Sequence, residues 1–424
     1  MKIQNPRQVA SWCLFDFANS SYSAVIAAVV FPVYFVSAIA GNASGQGDVW
    51  WGRAISVSMA FVAITSPFLG GIADYSGRRK RLLFFYTLLC ILSVSSFSLL
   101  RKGMLLEGFF LMVLANIGME GGLVFYNSFL PEISDKEYQG RVSAWGYAVG
   151  YAGSICSLLL VLPLAKAGRY HETWSIISLF FLGFALPAFF YLPRDRKNSV
   201  SVFSAAVKGG RHSFDTLKVM LKNRPLRRFM LAYFIYEDGV NTVIVFSSIF
   251  ASTTLKFDVG ELVLLYIIVQ ITALAGAFLM ARPIDAWGPK KVLLLSLLVW
   301  SLVSVLAFFI ETKIYFWILA SVAGLGLGTV QASSRAFFTQ FIPPDHQSEY
   351  FGVYSLAGKS SAVMGPLLFG TVSSAFGSQR PAILAISVFF IGGLLLIRNV
   401  HGGGPNIGRL DAPKASATAK SRGF

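Results

Sequence analysis

Runs of about 20 mostly apolar residues recur along this 424-residue chain, and their length constrains its fold more than any other feature. A helix of about 20 residues spans roughly 30 Å, the thickness of the hydrocarbon core of a bilayer. Only 13% of the residues are charged, whereas soluble domains carry about 25%. The sequence therefore predicts an all-α polytopic membrane protein of twelve helices. The predicted spans are 9–40, 54–73, 82–100, 107–130, 142–165, 174–192, 229–251, 260–281, 292–310, 314–341, 350–373 and 381–398.

Lysine and arginine are distributed unevenly between the predicted loops. The two tails and the loops on their side of the membrane carry 26 of these residues, and the opposite loops carry eight. Because positively charged loops stay in the cytoplasm, both termini are predicted to be cytoplasmic, in a cell (inner) membrane. The net charge of +16 is thus a topology signal, and nucleic acid is not an expected partner.

The chain repeats itself, which predicts two related halves. Three echoes occur in the same order in each half, and such duplication is typical of transporters that bind solute between two halves. They pair 16–19 with 238–241, 70–80 with 281–291, and 137–146 with 349–358. The predicted divisions are an N-terminal six-helix half (1–193), a basic cytoplasmic linker (194–228), a C-terminal six-helix half (229–399) and a disordered cytoplasmic tail (400–424).

The linker contains one stretch with helical character, HSFDTLKVMLKN at 212–223. A short basic amphipathic helix could lie there on anionic lipid, and a solvated linker fits the same residues equally well.

Signatures of enzymes are missing from the sequence. It has no phosphate-binding GxxxxGK[ST] loop, no HExxH and no GxSxG, and its four histidines lie in predicted loops or the tail. The three cysteines sit in apolar runs without a CxxC pair. We therefore expect no enzymatic activity, no cofactor and no metal.

Six charged side chains interrupt the predicted spans. A charge at mid-membrane costs about 2.5 to 3.5 kcal/mol or more, so these residues should face partners or a wet cavity. All six lie at similar depths and could form one layer with four carboxylates and two cations. They are Asp16, Glu120, Glu237, Asp238, Arg335 and Lys359.

The surplus of carboxylates permits two explanations. One carboxylate could be protonated during transport, since burial and like charges disfavour its ionised form. Of Glu237 and Asp238, about 100° apart on one helix, Asp238 is favoured for the cavity because it aligns with Asp16. Fixed bridges to Arg335 or Lys359 that only position helices explain the pattern equally well.

Uncharged polar residues extend the same layer and favour a polar cavity. Each one alone is more often a contact between helices than a solute contact. The predicted members are Asn19, Asn116, Asn127, Asn241, Gln270 and Gln331, with Tyr147, Tyr266 and the cavity aromatics Tyr22, Tyr126 and Tyr236.

A glycine-rich motif between spans 2 and 3 predicts a conformational gate. A tight turn needs glycine, and an acid there can cap a helix N-terminus or pair with the following arginines. The first copy comprises Gly70, Asp74, Gly77, Arg78 and Arg79, and the second retains Asp285 and Gly288. Separately, Gly146, Gly150 and Gly153 predict close packing of span 5 against another helix.

The gate motif resembles the signature of the major facilitator superfamily, although Tyr75 stands where a basic residue is usual. SWCLFDFANSSYSAVI, VFYNSFLPEIS, QASSRAFF and EYFGVYSLAGKSSAVMGPLLFG are similar to the family of fungal vacuolar amino-acid effluxers linked to autophagy and related bacterial permeases. The resemblance implies a cavity lined by helices 1, 4, 7 and 10, and efflux of neutral amino acids. Arg335 with Asp16 or Glu120 could then bind the two charges of an amino acid.

The sequence thus predicts a monomeric secondary transporter that exports small polar solutes by alternating access across the lipid bilayer, with proton coupling as a hypothesis. One alternative is a drug or other metabolite antiporter of the same fold. Another is a membrane sensor or assembly factor that does not transport.

Overall fold

The computed structural model describes residues 5–41, 45–134, 139–195, 200–342 and 347–400, and within these ranges the chain forms helices and no strand. The predicted tail lies outside them except for Val400. We number the long helices α1 to α12 and call the one between α6 and α7 the linker helix. Their bounds are Pro6–Ala40 (α1), Gln46–Tyr75 (α2), Arg79–Ser96 (α3), Leu105–Asn127 (α4), Gln139–Lys166 (α5), Tyr170–Tyr191 (α6), Val202–Lys222 (linker helix), Arg224–Thr253 (α7), Val259–Leu279 (α8), Pro289–Phe309 (α9), Lys313–Thr339 (α10), Gln347–Ser361 (α11a), Met364–Phe376 (α11b) and Gln379–Arg398 (α12).

In the described ranges, eleven helices are long and apolar enough to cross a membrane. The remaining predicted span, 350–373, is broken between Ser361 and Met364 into helices of 15 and 13 residues. Pro366 follows the break and favours it, because proline has no N–H to donate to the carbonyl four residues earlier and its ring clashes there. The span exists as α11a followed by α11b.

The helices run alternately between two faces of the molecule. At one face Lys80 Nζ donates to the carbonyl of Leu192 at 2.7 Å, linking the start of α3 to the end of α6. At the other, Lys313 Nζ lies 2.6 Å from Glu261 Oε2, linking the starts of α10 and α8. We call the face where α1 begins and α12 ends the terminal face, and the opposite one the distal face.

The two halves pack in the same pattern. In the first half α2 and α3 pack on α4, while α6 packs on α1. In the second half α8 and α9 pack on α10, while α12 packs on α7. This equivalence agrees with the duplication that the sequence echoes predicted, and it gives two pseudo-symmetric six-helix bundles.

Large apolar side chains are exposed along the outer helices α3, α6, α9 and α12. Examples are Phe85, Phe190, Leu302 and Val388. Soluble monomers rarely expose contiguous apolar patches above a few hundred Å². The exposed apolar surface is therefore the one expected for contact with lipid, as in a multi-pass membrane protein.

Helix α1 lies close against α5 through a row of glycines. A Cβ atom at Gly153 would be 2.2 Å from the carbonyl oxygen of Phe17, and one at Gly146 would be 2.6 Å from the ring of Trp12. Larger residues would push the helices apart. The structure thus supports the packing role predicted for these glycines.

The linker helix is longer than the predicted amphipathic stretch and packs on protein. It lies mainly along α2, with smaller contacts to α7 and α11a. Its N-terminus is capped by Ser201, whose Oγ accepts from the backbone N–H of Ser204 at 3.1 Å. The helix therefore covers part of the terminal face between the two halves.

One helix end outside the membrane shows a capping box. At the start of α8, Asp258 Oδ1 accepts from the backbone N–H of Glu261 at 3.0 Å, and Glu261 Oε2 accepts from the N–H of Asp258 at 2.8 Å. The N–H of Glu261 stabilises the ionised carboxylate and lowers the pKa of Asp258. The distal start of α8 is thereby fixed.

Candidate functional site

One ion pair joins the two halves between α4 and α11a. Lys359 Nζ lies 2.9 Å from Glu120 Oε2, and the side chains are 25% and 22% exposed. The Lys359 Nζ atom is itself buried and makes no aligned hydrogen bond within the described part of the chain. Since an ammonium has three donors, it retains capacity for another acceptor.

A cavity of about 400 Å³ adjoins this pair toward the terminal face. Its volume lies within the range of about 300 to 1,000 Å³ found for small-molecule sites. Polar groups from both halves reach it, together with residues of the linker helix. Its lining includes Ser66, Gly70, Asp74, Asn127, His212, Ser213, Thr216, Ser355 and Lys359.

Asp16 lies on the face of α1 that meets α5. Its Oδ1 accepts from Asn19 Nδ2 at 3.2 Å, and a Cβ atom at Gly146 would be 3.2 Å from its Oδ2. No cation among the described contacts pairs with this half-buried carboxylate. Asp16 and the buried Asn19 therefore form a small polar unit within the first half.

Two of the predicted cavity aromatics hold α1 to its neighbours. Tyr22 OH donates to Asn116 Oδ1 of α4 at 3.3 Å. Tyr126 OH donates to the carbonyl of Trp12 at 3.1 Å, while Trp12 Nε1 donates to the carbonyl of Tyr126 at 3.2 Å, and the two rings stack. Both tyrosines are 2% exposed, so their contacts are internal to the first half.

The predicted polar residues of α7 and α10 pair with one another. Gln331 Nε2 donates to Glu237 Oε1 at 2.8 Å, and Tyr236 OH lies 2.6 Å from Ser334 Oγ. Glu237 is buried although Gln331 is exposed. These contacts join α7 to α10 within the second half.

Asp238 caps the broken helix α11. Both carboxylate oxygens accept from the backbone N–H of Gly365 at 2.9 Å, and the side chain is fully buried. Near it, Asn241 Nδ2 donates to Ser361 Oγ at 3.3 Å. Asp238 and Asn241 therefore hold the two ends of the break, because the first N–H groups of α11b have no partner within their own helix.

Arg335 is exposed on α10 and lies within electrostatic reach of Tyr354. No described contact joins it to Asp16 or Glu120. The predicted layer of six charges thus divides into one pair between the halves, Glu120 with Lys359, and four residues that interact within their own half.

The first gate motif folds as a turn with Gly77 at a φ of +66°, a conformation that glycine adopts without strain. Arg79 is ion-paired with Glu132 and donates to the carbonyl of Ser128 at 2.9 Å. Gly70 and Asp74 line the terminal cavity. The helix cap that the motif acid could have supplied comes from Asp195 instead.

Asp195, which follows α6, caps α3. Its oxygens accept from the backbone N–H groups of Lys80 at 2.8 Å and Arg81 at 3.3 Å. Asp74 lies instead within electrostatic reach of Arg79 and His212, and Arg78 is exposed.

The second gate motif retains only the turn geometry. Gly288 has a φ of +86° and precedes α9, and Asp285 is exposed. Lys290 Nζ donates to the carbonyl of Arg398 at 2.9 Å, which joins α9 to the end of α12.

The distal face is closed by a buried carboxylate that the sequence did not predict. Asp48, in the first turn of α2, is fully buried. It accepts from Ser373 Oγ of α11b at 2.5 Å and from Gln379 Nε2 of α12 at 2.9 and 3.0 Å. Asp48 lies between the first two predicted spans, 9–40 and 54–73, where an acid near a helix N-terminus is unremarkable. The sequence therefore gave no sign that it would be buried between the two halves.

Glycines and backbone contacts complete the distal closure. A Cβ atom at Gly52 would be 2.3 Å from the carbonyl oxygen of Pro366, and Ser56 Oγ donates to the carbonyl of Val363 at 2.7 Å. The structure therefore holds α2 against α11b at the distal face, while the polar cavity lies toward the terminal face.

A second cavity, of about 220 Å³, lies mostly in the second half, with Ala28 and Val29 of α1 closing one side, and it is mainly apolar. Its lining includes Val243, Phe246, Leu265, Trp300 and Leu319. It offers little to recognise a charged solute, so the polar cavity beside Lys359 is the candidate solute site.

Two pseudo-symmetric six-helix bundles with a polar cavity at their interface define a multi-pass membrane transporter of the major facilitator type. The model of the family described as "Vacuole effluxer Atg22 like" matches residues 53–402. The chain belongs to this family, which confirms the resemblance seen in the sequence motifs.

Relatives support the same assignment. The chain is 30% identical over 403 residues to the uncharacterized MFS-type transporter YxiO of Bacillus subtilis, covering 92% of this chain and 94% of that protein. It is 26% identical over 276 residues to autophagy-related protein 22 of Kluyveromyces lactis, covering 59% of this chain and 56% of the fungal protein.

Solved structures confirm the fold class. The nucleoside transporter NupG aligns with a TM-score of 0.69 at 14% identity, covering 94% of this chain and 98% of its own. The human organic anion transporter MFSD10 aligns with a TM-score of 0.66 at 15% identity, covering 93% and 100%. Together with the family, these likenesses identify a transporter and not an enzyme.

Proposed function

We propose that this transporter moves small zwitterionic solutes, with amino acids as the class, by alternating access of its two halves. The ion pair between Glu120 and Lys359 carries the proposal. A solute ammonium would replace Lys359 as the partner of Glu120, and a solute carboxylate would replace Glu120 as the partner of Lys359. Because the two residues belong to different halves, solute binding would exchange a direct contact between the halves for contacts through the solute.

We propose that the terminal face is cytoplasmic, in a cell (inner) membrane, and that the protein works as a monomer. The excess of lysine and arginine on this face supports the orientation. The two halves that border the described cavity come from one chain, which supports a monomeric unit.

Export toward the distal face is the proposed direction, and the family's description as vacuole effluxers supplies the competing one. A vacuolar effluxer releases solute to the cytosolic face, which would be uptake for a protein in a cell membrane with the same orientation. Flux therefore has to be measured in both directions across oriented vesicles, and net movement only toward the terminal face would contradict export.

Neutralising one member of the pair should strongly reduce amino-acid flux. Glu120→Gln leaves Lys359 without its counter-ion, and Lys359→Met leaves Glu120 without its own. A lone charge costs about 3 to 5 kcal/mol at a fully buried site, and it costs less here because both side chains are partly exposed. We expect each variant to lose flux at least about tenfold. The measurement is flux of radiolabelled amino acids in liposomes containing the purified protein.

The double variant Glu120→Gln with Lys359→Met separates solute binding from a structural bridge. It removes both charges, so a bridge that only positions helices would become dispensable and flux would return. A solute-binding pair predicts no recovery. Glu172→Gln, which breaks the exposed pair with Arg169, is the matched control and should leave flux unchanged.

We propose that Asp16 carries the coupling proton, because it is half-buried and its described polar contact is the uncharged Asn19. Asp16→Asn should retain solute exchange but lose accumulation driven by a pH gradient, since an amide cannot take up a proton. Comparing exchange and gradient-driven flux in the same liposomes tests this. Full pH-driven accumulation by the variant would exclude Asp16.

The alternatives have distinct outcomes in the same assay. Flux of a drug or an anionic metabolite, with none for any amino acid, would indicate an antiporter of another substrate. No flux for any solute, together with a stable protein partner, would indicate a sensor or assembly factor.

A further inference from the structure

One side of the linker helix forms part of the terminal cavity. His212, Ser213 and Thr216 line it together with Asp74 of α2 and Lys359 of α11a. A solute that reaches Lys359 from the terminal face would pass this helix. Its polar side chains are thus placed to contact the solute, although the helix is not one of the twelve spans.

The linker helix is joined to α2 at backbone contact distance. A Cβ atom at Gly71 would be 2.4 Å from the Cα of Gly209, and one at Gly209 would be 2.0 Å from the Cα of Gly71. A Cβ atom at Gly210 would likewise be 2.7 Å from the ring of Phe68. Only glycine permits this approach, so the two helices fit as one packed unit.

A cation adds to this contact at the gate motif. Lys208 Nζ lies 4.3 Å from the centroid of the Tyr75 ring, a distance at which cation–π attraction is significant. Tyr75 stands at the motif position where a basic residue is usual, and here the linker helix supplies the positive charge from outside the motif. The departure of Tyr75 from the superfamily pattern therefore has a structural consequence: it binds the linker helix.

The linker helix meets the second half differently. It packs less extensively on α11a and α7 than on α2, and only Asn223 separates it from α7. The cavity lies between the linker helix and α11a, with Gly352 and Ser355 of α11a on the opposite wall. Two halves that rock apart cannot both keep their packing on this helix, and the backbone contact with α2 is the tighter one. The extended residue Asn223 then serves as the pivot between the linker helix and α7.

We propose that the linker helix is a wall of the solute path carried by the N-terminal half, and that the terminal mouth opens between this helix and α11a. Gly71 and Gly209 act as positioning residues that hold His212, Ser213 and Thr216 along the path. The contact of Lys208 with Tyr75 lies at the same interface. The proposal rests on the alternating access proposed above.

Two cysteine pairs test it, in a variant in which Cys13, Cys90 and Cys156 are replaced by serine. The first pair, Tyr75→Cys with Lys208→Cys, links the helix to α2. The second pair, Thr216→Cys with Gly352→Cys, links it to α11a. Each pair is closed with a short bis-methanethiosulfonate reagent and reopened with dithiothreitol, so every protein serves as its own control.

Closing the first pair should leave amino-acid flux within about twofold of the open protein, and closing the second should reduce flux at least about tenfold, with recovery on reduction. Loss of flux on closing the first pair would mean that the helix leaves α2. Unchanged flux on closing the second would mean that the mouth opens elsewhere. Either result overturns the proposal.

A labelling measurement keeps the test independent of transport. Asn127→Cys lies on the cavity wall, and its reaction with a water-soluble maleimide reports access from the terminal face. Closing the second pair should slow this reaction at least about tenfold, and closing the first should not change it. If the uncrosslinked protein shows no flux but these rates differ as expected, the proposed function fails and the assignment of the wall stands. Equal labelling rates in both closed proteins would contradict the proposal that the linker helix forms this wall of the solute path.

Discussion

Replacing Asp48 with alanine is expected to open the distal face of the transporter. The substitution removes the carboxylate that accepts from Ser373 and Gln379 across the two halves. Hydrogen bonds to charged groups contribute about 1.5 to 3 kcal/mol each, so a loss of about 3 kcal/mol would shift the conformational equilibrium roughly 100-fold toward the distal-open state. Asp48→Asn keeps one acceptor and should have a smaller effect.

Thiol labelling from the distal side measures this shift. Ser56 is buried behind Asp48 on α2, so Ser56→Cys in a background without other cysteines should react slowly with an impermeant maleimide. Adding Asp48→Ala should accelerate the reaction. Glu107→Ala removes an exposed acid from the first turn of α4 and is the matched control. Equal rates with and without Asp48 would show that this carboxylate does not hold the distal closure.

Replacing Asp238 with alanine is expected to cause the largest loss of stability. The fully buried carboxylate accepts from the N–H of Gly365 at the start of α11b. Losing a helix cap costs about 1 kcal/mol, and a buried donor left without a partner costs about 1 to 3 kcal/mol. We therefore expect the free energy of unfolding to fall by about 2 kcal/mol. Asp238→Asn should lose less, because its amide oxygen can still accept.

Thermal unfolding in detergent provides the measurement. A maleimide dye that becomes fluorescent on reacting with buried Cys13 and Cys90 reports the transition. Asp285→Ala, which removes an exposed acid, should leave the transition unchanged. If Asp238→Ala unfolded at the same temperature as this control, the cap would contribute nothing to stability.

The internal repeat predicted the architecture but not the roles of matching residues. Asp16 and Asp238 occupy equivalent places in the two sequence echoes. In the structure, Asp16 is bonded to Asn19 and faces the glycines of α5, whereas Asp238 caps α11b. The difference follows from the break in α11, which presents free N–H groups to α7, while its counterpart α5 is continuous.

The sequence by itself determined the class of protein and the order of its helices. Membrane spans are recognisable because about 20 apolar residues suffice for a helix that satisfies its own backbone hydrogen bonds in lipid. The duplication and the family resemblance could also be recognised in the sequence, because motifs and apolar runs are local properties of the chain. These features led directly to a major facilitator transporter of the Atg22-like family.

Only the tertiary structure decided which polar groups meet. Six charges at similar depth allow many pairings, and the choice of Lys359 for Glu120 depends on how α4 and α11a are rotated and which half each belongs to. The distal carboxylate Asp48 and the docking of Gly209 on Gly71 depend on contacts between residues far apart in the chain. Such contacts arise where the faces of different helices pack against one another. The spacing of residues along the amino-acid sequence does not specify which faces meet.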